Sequence, residues 1–183
     1  MDPLRKIAIH EASYAIVARL FQDYLDLKQV TICRKMLTAE ADPTKIDAAN
    51  SGHMKRFDPE AFMAYGITNL AGIIGQNIAT EGREAFAARK QEILDNPNTL
   101  DTEWGGKDLP DFRNNLLVNR HRYNMEESDY HQFCIGFLID YLTIPQVWDA
   151  VEKFADALID QADEKMGEQV LTSFFPAVVM MNF

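Results

Sequence analysis

The stretch DPLRKIAIHEASYAIVARLFQDYL, residues 2–25, decides how the chain begins to fold. Asp2 is a capping carboxylate, and Pro3 suits the first helical position, whose N–H has no intrahelical partner. Leu4, Ile7, Ala8, Ala12, Ala15, Ala18 and Leu20 then recur at helical spacing. That pattern predicts an amphipathic helix from Asp2 to about Leu25. His10 and Tyr14 stand four residues apart and therefore share one of its faces.

Outward from this helix, residues 29–34 (Gln-Val-Thr-Ile-Cys-Arg) are rich in branched side chains and predict a short strand. Residues 36–56 are polar and punctuated by Asp42-Pro43 and Ser51-Gly52. They read as a loop with room for one more strand. Asp58-Pro59-Glu60 repeats the capping pattern, and residues 61–79 are apolar nearly all round, as in a buried helix. Gly66, Gly72 and Gly75 lower its helix propensity, so close packing against a neighbour is the expected reason for them. A charged helix follows over 80–94, stopped by Asn96-Pro97-Asn98. Residues 104–108 form a turn that leads through Pro110 into a helix reaching about 122, and 128–142 is another helix. Thr143-Ile144-Pro145-Gln146 fits a capping box for a helix running to Gly167 as its stop. The apolar tail, 174–183, is too short to span a bilayer and is expected to pack as an extra core strand, the alternative being an oligomer contact. The sequence thus predicts one domain, 1–183, mainly α with a small β-sheet.

Composition narrows the function. The chain has 183 residues, 47% hydrophobic and 25% charged, which is ordinary for a globular domain with a sizeable core. Its formal net charge is −10 and its pI about 4.8, against the basic face that a nucleic-acid binder needs. The triplet Arg120, His121, Arg122 is too small to change that. Cys33 and Cys134 are far apart and suggest neither a disulfide framework nor a four-cysteine zinc site, so a reducing cytoplasmic setting is expected. The N-terminal residues carry no signal-peptide core, and no run of about 18 apolar residues predicts a membrane span.

His10-Glu11-Ala12-Ser13-Tyr14 reads as the zinc-helix motif H-E-x-x-H with its last residue changed. In the intact motif two histidines on one helix face hold zinc, and the glutamate is general base toward the metal-bound water. Alone the motif says little, but its neighbours add to it. The run His10 to Ala18, then Val30-Thr31-Ile32, resembles the opening of the protease domain of the membrane-anchored AAA zinc proteases, the FtsH family or peptidase family M41. There the run is typically His-Glu-Ala-Gly-His-Ala-Val-Val-Ala, followed by a strand. Asn69-Leu70-Ala71-Gly72-Ile73-Ile74-Gly75-Gln76-Asn77-Ile78-Ala79-Thr80-Glu81-Gly82 resembles the family's Leu-Ala-Gly-Arg-x-Ala-Glu-Glu-x-x-x-Gly helix. Gly105-Gly106-Lys107-Asp108-Leu109 is similar to its Gly-x-x-x-Asp-Leu/Ile segment. Val147-Trp148, Val151-Glu152, Phe154-Ala155 and Leu158 resemble its C-terminal helix. Order and spacing agree over roughly residues 5–170.

The resemblance implies His10 as a zinc ligand, Glu11 as the catalytic general base and Asp108 as a further ligand. Tyr14 stands where the second histidine ligand belongs, and Ser13 replaces the usual glycine. Ile73, Gln76 and Asn77 stand at or near the family's arginine and paired acids. No Walker A motif is present, so no ATP binding or ATPase domain is expected, and the family's transmembrane segments are lacking too. A phenol must lose a proton of unperturbed pKa about 10 to become a good ligand, and it is longer than imidazole. Zinc is therefore expected to bind weakly or not at all, with Tyr14 bonded to Asp108 or His10 and closing the pocket.

Other candidates are weaker. His131 and Cys134 have an i, i+3 metal spacing on a predicted helix, with a capping histidine and a buried thiol as the plainer reading. His53 lies in the polar loop, His121 stands alone, and no serine has nucleophile-elbow surroundings. Three functions follow. The first is a metallopeptidase-fold protein with a degenerate site, catalytically impaired and binding peptides or proteins. The second is an active zinc-dependent metalloendopeptidase with an atypical site. The third is a helical interaction module unrelated to proteolysis. The family's hexameric assembly implies a homo-oligomer.

Overall fold

A computed structural model of the protein describes residues 1–30, 32, 51–55, 58–101, 108–110, 112–113, 125–161 and 166–167. The fold is mainly α with one small antiparallel sheet. Helix α1 spans Pro3–Leu20, capped by the Asp2 carboxylate, which accepts from the Leu4 N–H. It ends earlier than its apolar spacing predicts. The chain turns at residues 21–24, where the N–H groups of Tyr24 and Leu25 both donate to the Phe21 carbonyl. Strand β1 (Leu25–Val30) then starts four residues ahead of the predicted one. Leu25 and Leu27 are buried on alternate positions with Asp26 between them, a period of two that the preceding helical pattern had masked.

Strand β2 (Ser51–Met54) is the additional strand for which the polar loop had room. It pairs antiparallel with β1, Leu25 opposite Met54 and Asp26 opposite His53, so His53 belongs to a strand rather than to a loop. On the other edge of β1 lies β3 (Met166–Gly167), giving the order β2-β1-β3.

Helix α2 (Pro59–Glu81) is capped by Asp58, whose carboxylate accepts from the Ala61 N–H at 3.0 Å. Gly82, at φ +89°, breaks it off, a backbone conformation for which glycine is suited. The predicted charged helix is accordingly two short ones, α3 (Arg83–Ala88) and α4 (Lys90–Asp95), followed by a 3-10 turn at Pro97–Thr99. Helix α5 is Glu127–Leu142 and α6 is Pro145–Asp160. The expected capping box at Thr143 does not form, because its hydroxyl donates back to the Ile139 carbonyl at 2.6 Å and Ile144 occupies the cap. Helix α6 stops at Asp160, and Gly167 pairs with Gln29 of β1 instead of closing the helix.

Helix α1 is the hub of the molecule. It packs on α2, on α6 and on β1, while α2 also carries α5. Ile7, Ile9, Ile16 and Val17 of α1 join Leu70, Ile73, Ile74 and Ile78 of α2 and Val151, Phe154 and Leu158 of α6 in one core. Among the described residues no helix is long and apolar enough to cross a membrane. The apolar tail, Cys33 and His121 lie outside the described residues.

Candidate functional site

The site starts from how closely α1 and α2 approach. His10 lies over Gly72, and Ser13, one turn on, lies over Gly75. A Cβ on Gly72 would sit 2.6 Å from His10 Cδ2 and closer still to the rest of the ring edge. A Cβ on Gly75 would collide with the Ser13 hydroxyl. The two glycines of Gly72-Ile73-Ile74-Gly75 are thus the floor on which the polar face of α1 rests. This is the close packing that their cost in helix propensity implied.

On that floor His10 is 9% exposed and Glu11 4%. Residues 108–110 are helical, and Asp108 at their start meets His10, with Nε2 to Oδ2 at 3.1 Å. Burial of the ring opposes its protonation. The hydrogen bond to Asp108, the fields of Glu11 and Asp108 and the Gln76 side chain against the ring outweigh it, and the pKa lies above the usual 6.5. Tyr14, one turn along α1, is half-buried. Burial, then Tyr65, Glu11 and Asp108, push its phenol well above the ordinary value, so it is neutral at physiological pH. The structure therefore brings Asp108, 94 or more residues along the chain, against His10, and Glu11 and Asp108 act electrostatically on both His10 and Tyr14. The link from Tyr14 to Asp108 is electrostatic.

A raised folded-state pKa has a defined sign in stability. The contribution of His10 is fully present below its unfolded value near 6.5 and is lost as pH rises through the higher folded value. Urea unfolding at a series of pH values should show the natural chain weakening over this window and a His10→Gln variant responding less steeply. Equal slopes would place the titrating group elsewhere.

A polar cluster unforeseen in the sequence supports the pocket from behind. Gln76 and Asn77 hold the backbone of Asp101. Gln76 Nε2 donates to the Asp101 carbonyl at 2.5 Å, and Asn77 Nδ2 donates to the same oxygen at 2.9 Å. The Asp101 N–H donates to Asn77 Oδ1 at 2.9 Å. Buried Lys6, one turn before His10, donates to the Asp101 carboxylate at 2.6 Å. A lysine within the apolar face of α1 was the available signal. Asn77→Ala removes the acceptor of the Asp101 N–H and one of the two donors to its carbonyl, and is expected to destabilise by roughly 1–3 kcal/mol in denaturant melts.

The remaining sequence candidates fall apart as sites. His131 stacks on Phe112 with centroids 5.0 Å apart. Cys134 is fully buried, and burial pushes its thiol up to about 12. Both belong to the packing around Phe112 and Tyr130.

A catalytic zinc centre takes three protein donors and leaves one position for water. His10 and Asp108 supply two, and the third place is held by a phenol that burial keeps protonated. Among the described residues no group of three or more His, Cys, Asp or Glu is arranged to hold a metal. The residues present do not fit a two-histidine, one-carboxylate zinc site. Fold and site together define a mainly helical protein with a buried His-Glu helix facing an aspartate. No protein-family model matches the chain, and no curated protein matches it in sequence.

Proposed function

We propose that this chain is an M41-like metallopeptidase-fold protein with a degenerate metal site, impaired in catalysis and acting by binding peptide or protein. The observation that carries the reading is the direct His10–Asp108 contact at 3.1 Å beside a neutral Tyr14. The two residues kept from the zinc-ligand pattern are bonded to each other, and the third is a poor donor for zinc. Glu11, the general base that the resemblance implies, lies in the field of His10 and Tyr14. A homo-oligomer is part of the proposal, drawn from the family resemblance.

The test pairs binding with cleavage. A fluorescent unstructured peptide, such as a casein fragment, is titrated with the metal-free full chain and followed by anisotropy, then examined by mass spectrometry after incubation with added zinc. Saturable binding without cleavage is expected. Zinc-dependent cleavage that disappears in Glu11→Gln would overturn this reading in favour of an active peptidase with an atypical site. Neither binding nor cleavage would favour an interaction module unrelated to peptides.

A further inference from the structure

We propose that His131 is a proton-operated latch: its neutral ring holds Phe112, and with it the segment that carries Asp108, against α5, and its imidazolium form releases that segment in mild acid. The proposal goes beyond the peptide-binding reading and stands without it, because what opens is a contact of the fold.

Three elements meet at the latch. Residues 108–110 and 112–113 are helical, and Asp108 and Phe112 stand four apart there. Asp108 reaches α1 at His10, while Phe112 reaches α5. The Phe112 ring is buried and stacks on two consecutive rings of α5, with centroids 5.8 Å from Tyr130 and 5.0 Å from His131. A Cβ on Gly66 of α2 would come to 2.9 Å from the Tyr130 hydroxyl and 3.3 Å from Phe112 Cε2, so α2 closes the third side. The segment that presents Asp108 to His10 is thus held to the helices through one aromatic stack, and His131 is the member of that stack that titrates near neutral pH.

His131 is half-buried, yet its Nε2 is fully buried and has no hydrogen-bond partner among the described residues. In the neutral ring with its proton on Nδ1, this atom is a lone pair. Protonation turns it into a charged N–H with no acceptor, which is costly where water does not reach. Among the described residues the charged groups that act on the ring are Arg113, beside Phe112, and Glu127, one turn back on α5. Burial and then Arg113 disfavour the imidazolium and outweigh Glu127, so the pKa lies below the usual 6.5. Phe112 and Gly66 bring no charge, and the buried Cys134 thiol one turn on is neutral. The sign follows. The stack keeps its full stability above 6.5 and loses it as pH falls through the lower folded value. The contribution of His10 runs the other way, lost as pH rises, so the two histidines are told apart by direction.

Amide hydrogen exchange of the full chain is read by mass spectrometry at about pH 7.5 and about pH 5, corrected for the intrinsic pH dependence of exchange. Protection of the peptide covering 108–113 should fall by roughly fivefold or more in acid, while α1 keeps its protection. His131→Phe keeps a ring for the stack without a titrating nitrogen and should hold the segment closed at both pH values. Arg113→Gln removes the repelling charge at an exposed position and should lessen the acid loss. Unchanged protection in the natural chain overturns the proposal. So does an acid loss that persists in His131→Phe, or one as large in α1 as in 108–113. If His131→Phe does not fold, Arg113→Gln decides, and an acid loss equal to that of the natural chain overturns the latch. Peptide binding is measured at neutral pH, where the latch is closed, so either reading can fail alone.

Discussion

Zinc affinity should rise by roughly a hundredfold or more, about 3 kcal/mol, when Tyr14 is replaced by histidine. The variant places a second neutral imidazole one turn from His10 on the same face of α1, with Asp108 already 3.1 Å from His10 Nε2. That completes three donors and leaves a position for water, the pattern of a catalytic zinc site. The natural side chain opposes this because burial and the neighbouring carboxylates hold its phenol neutral. The exchange also removes bulk beside Tyr65, so a modest loss of stability, about 1 kcal/mol, should accompany the gain in affinity. Competition against a chelator of known strength measures the effect. An unchanged zinc affinity in a folded Tyr14→His variant would mean that the α1 backbone and Asp108 are not disposed as a metal site, and the M41-like reading would lose its main chemical support.

The second large effect concerns the floor of the pocket. Gly72→Ala is expected to lower the unfolding free energy by roughly 3 kcal/mol, because overpacking at a tight contact forces side chains or backbone to shift. The added methyl group would lie within 3.0 Å of three atoms of the His10 ring, which real Cβ atoms essentially never do. His10 cannot simply swing aside, since it is buried and bonded to Asp108. A double-mutant cycle separates this contact from a general change in helix propensity. His10→Ala in the Gly72→Ala background should recover part of the loss, since the smaller side chain vacates the space. Gly136→Ala on α5 is the control, because a Cβ there meets nothing closer than 3.6 Å. Equal effects at Gly72 and Gly136 would show that α1 and α2 do not cross as described.

The elements most legible in the sequence were those with strong local signals. Asp2-Pro3 and Asp58-Pro59 mark the starts of α1 and α2, and both carboxylates cap as their positions predict. The stripe Val147, Val151, Phe154, Ala155 and Leu158 is the buried face of α6. Boundaries set by competing local bonds were read less well. Thr143 was expected to cap forward and instead bonds back to Ile139, because its hydroxyl finds a carbonyl one turn behind it. Gly167 looked like a helix stop and is a strand residue, because β1 offers it a ladder partner. The change from helix to strand between Leu20 and Leu25 was hidden because Leu20 and Leu27 lie seven apart, a helical spacing, while only the pair Leu25 and Leu27 marks the period of two.

By itself the sequence determined that the chain is mainly helical with a small sheet, that α2 is buried and glycine-notched, and that His10, Glu11 and Tyr14 share one helix. These follow from capping chemistry and periodicity, which act over a few residues. The tertiary structure decided which partners those residues have. Asp108 lies far along the chain, and only the crossing of α1 over Gly72 and Gly75 leaves His10 where that carboxylate can meet it. The Lys6–Asp101–Asn77 cluster and the Gln76 side chain against His10 are likewise products of packing. Burial is a property of the assembled molecule, and burial sets the Tyr14 phenol so far above its ordinary pKa. The kinds of side chain at the site are written in the sequence, and their protonation and pairing come from the fold.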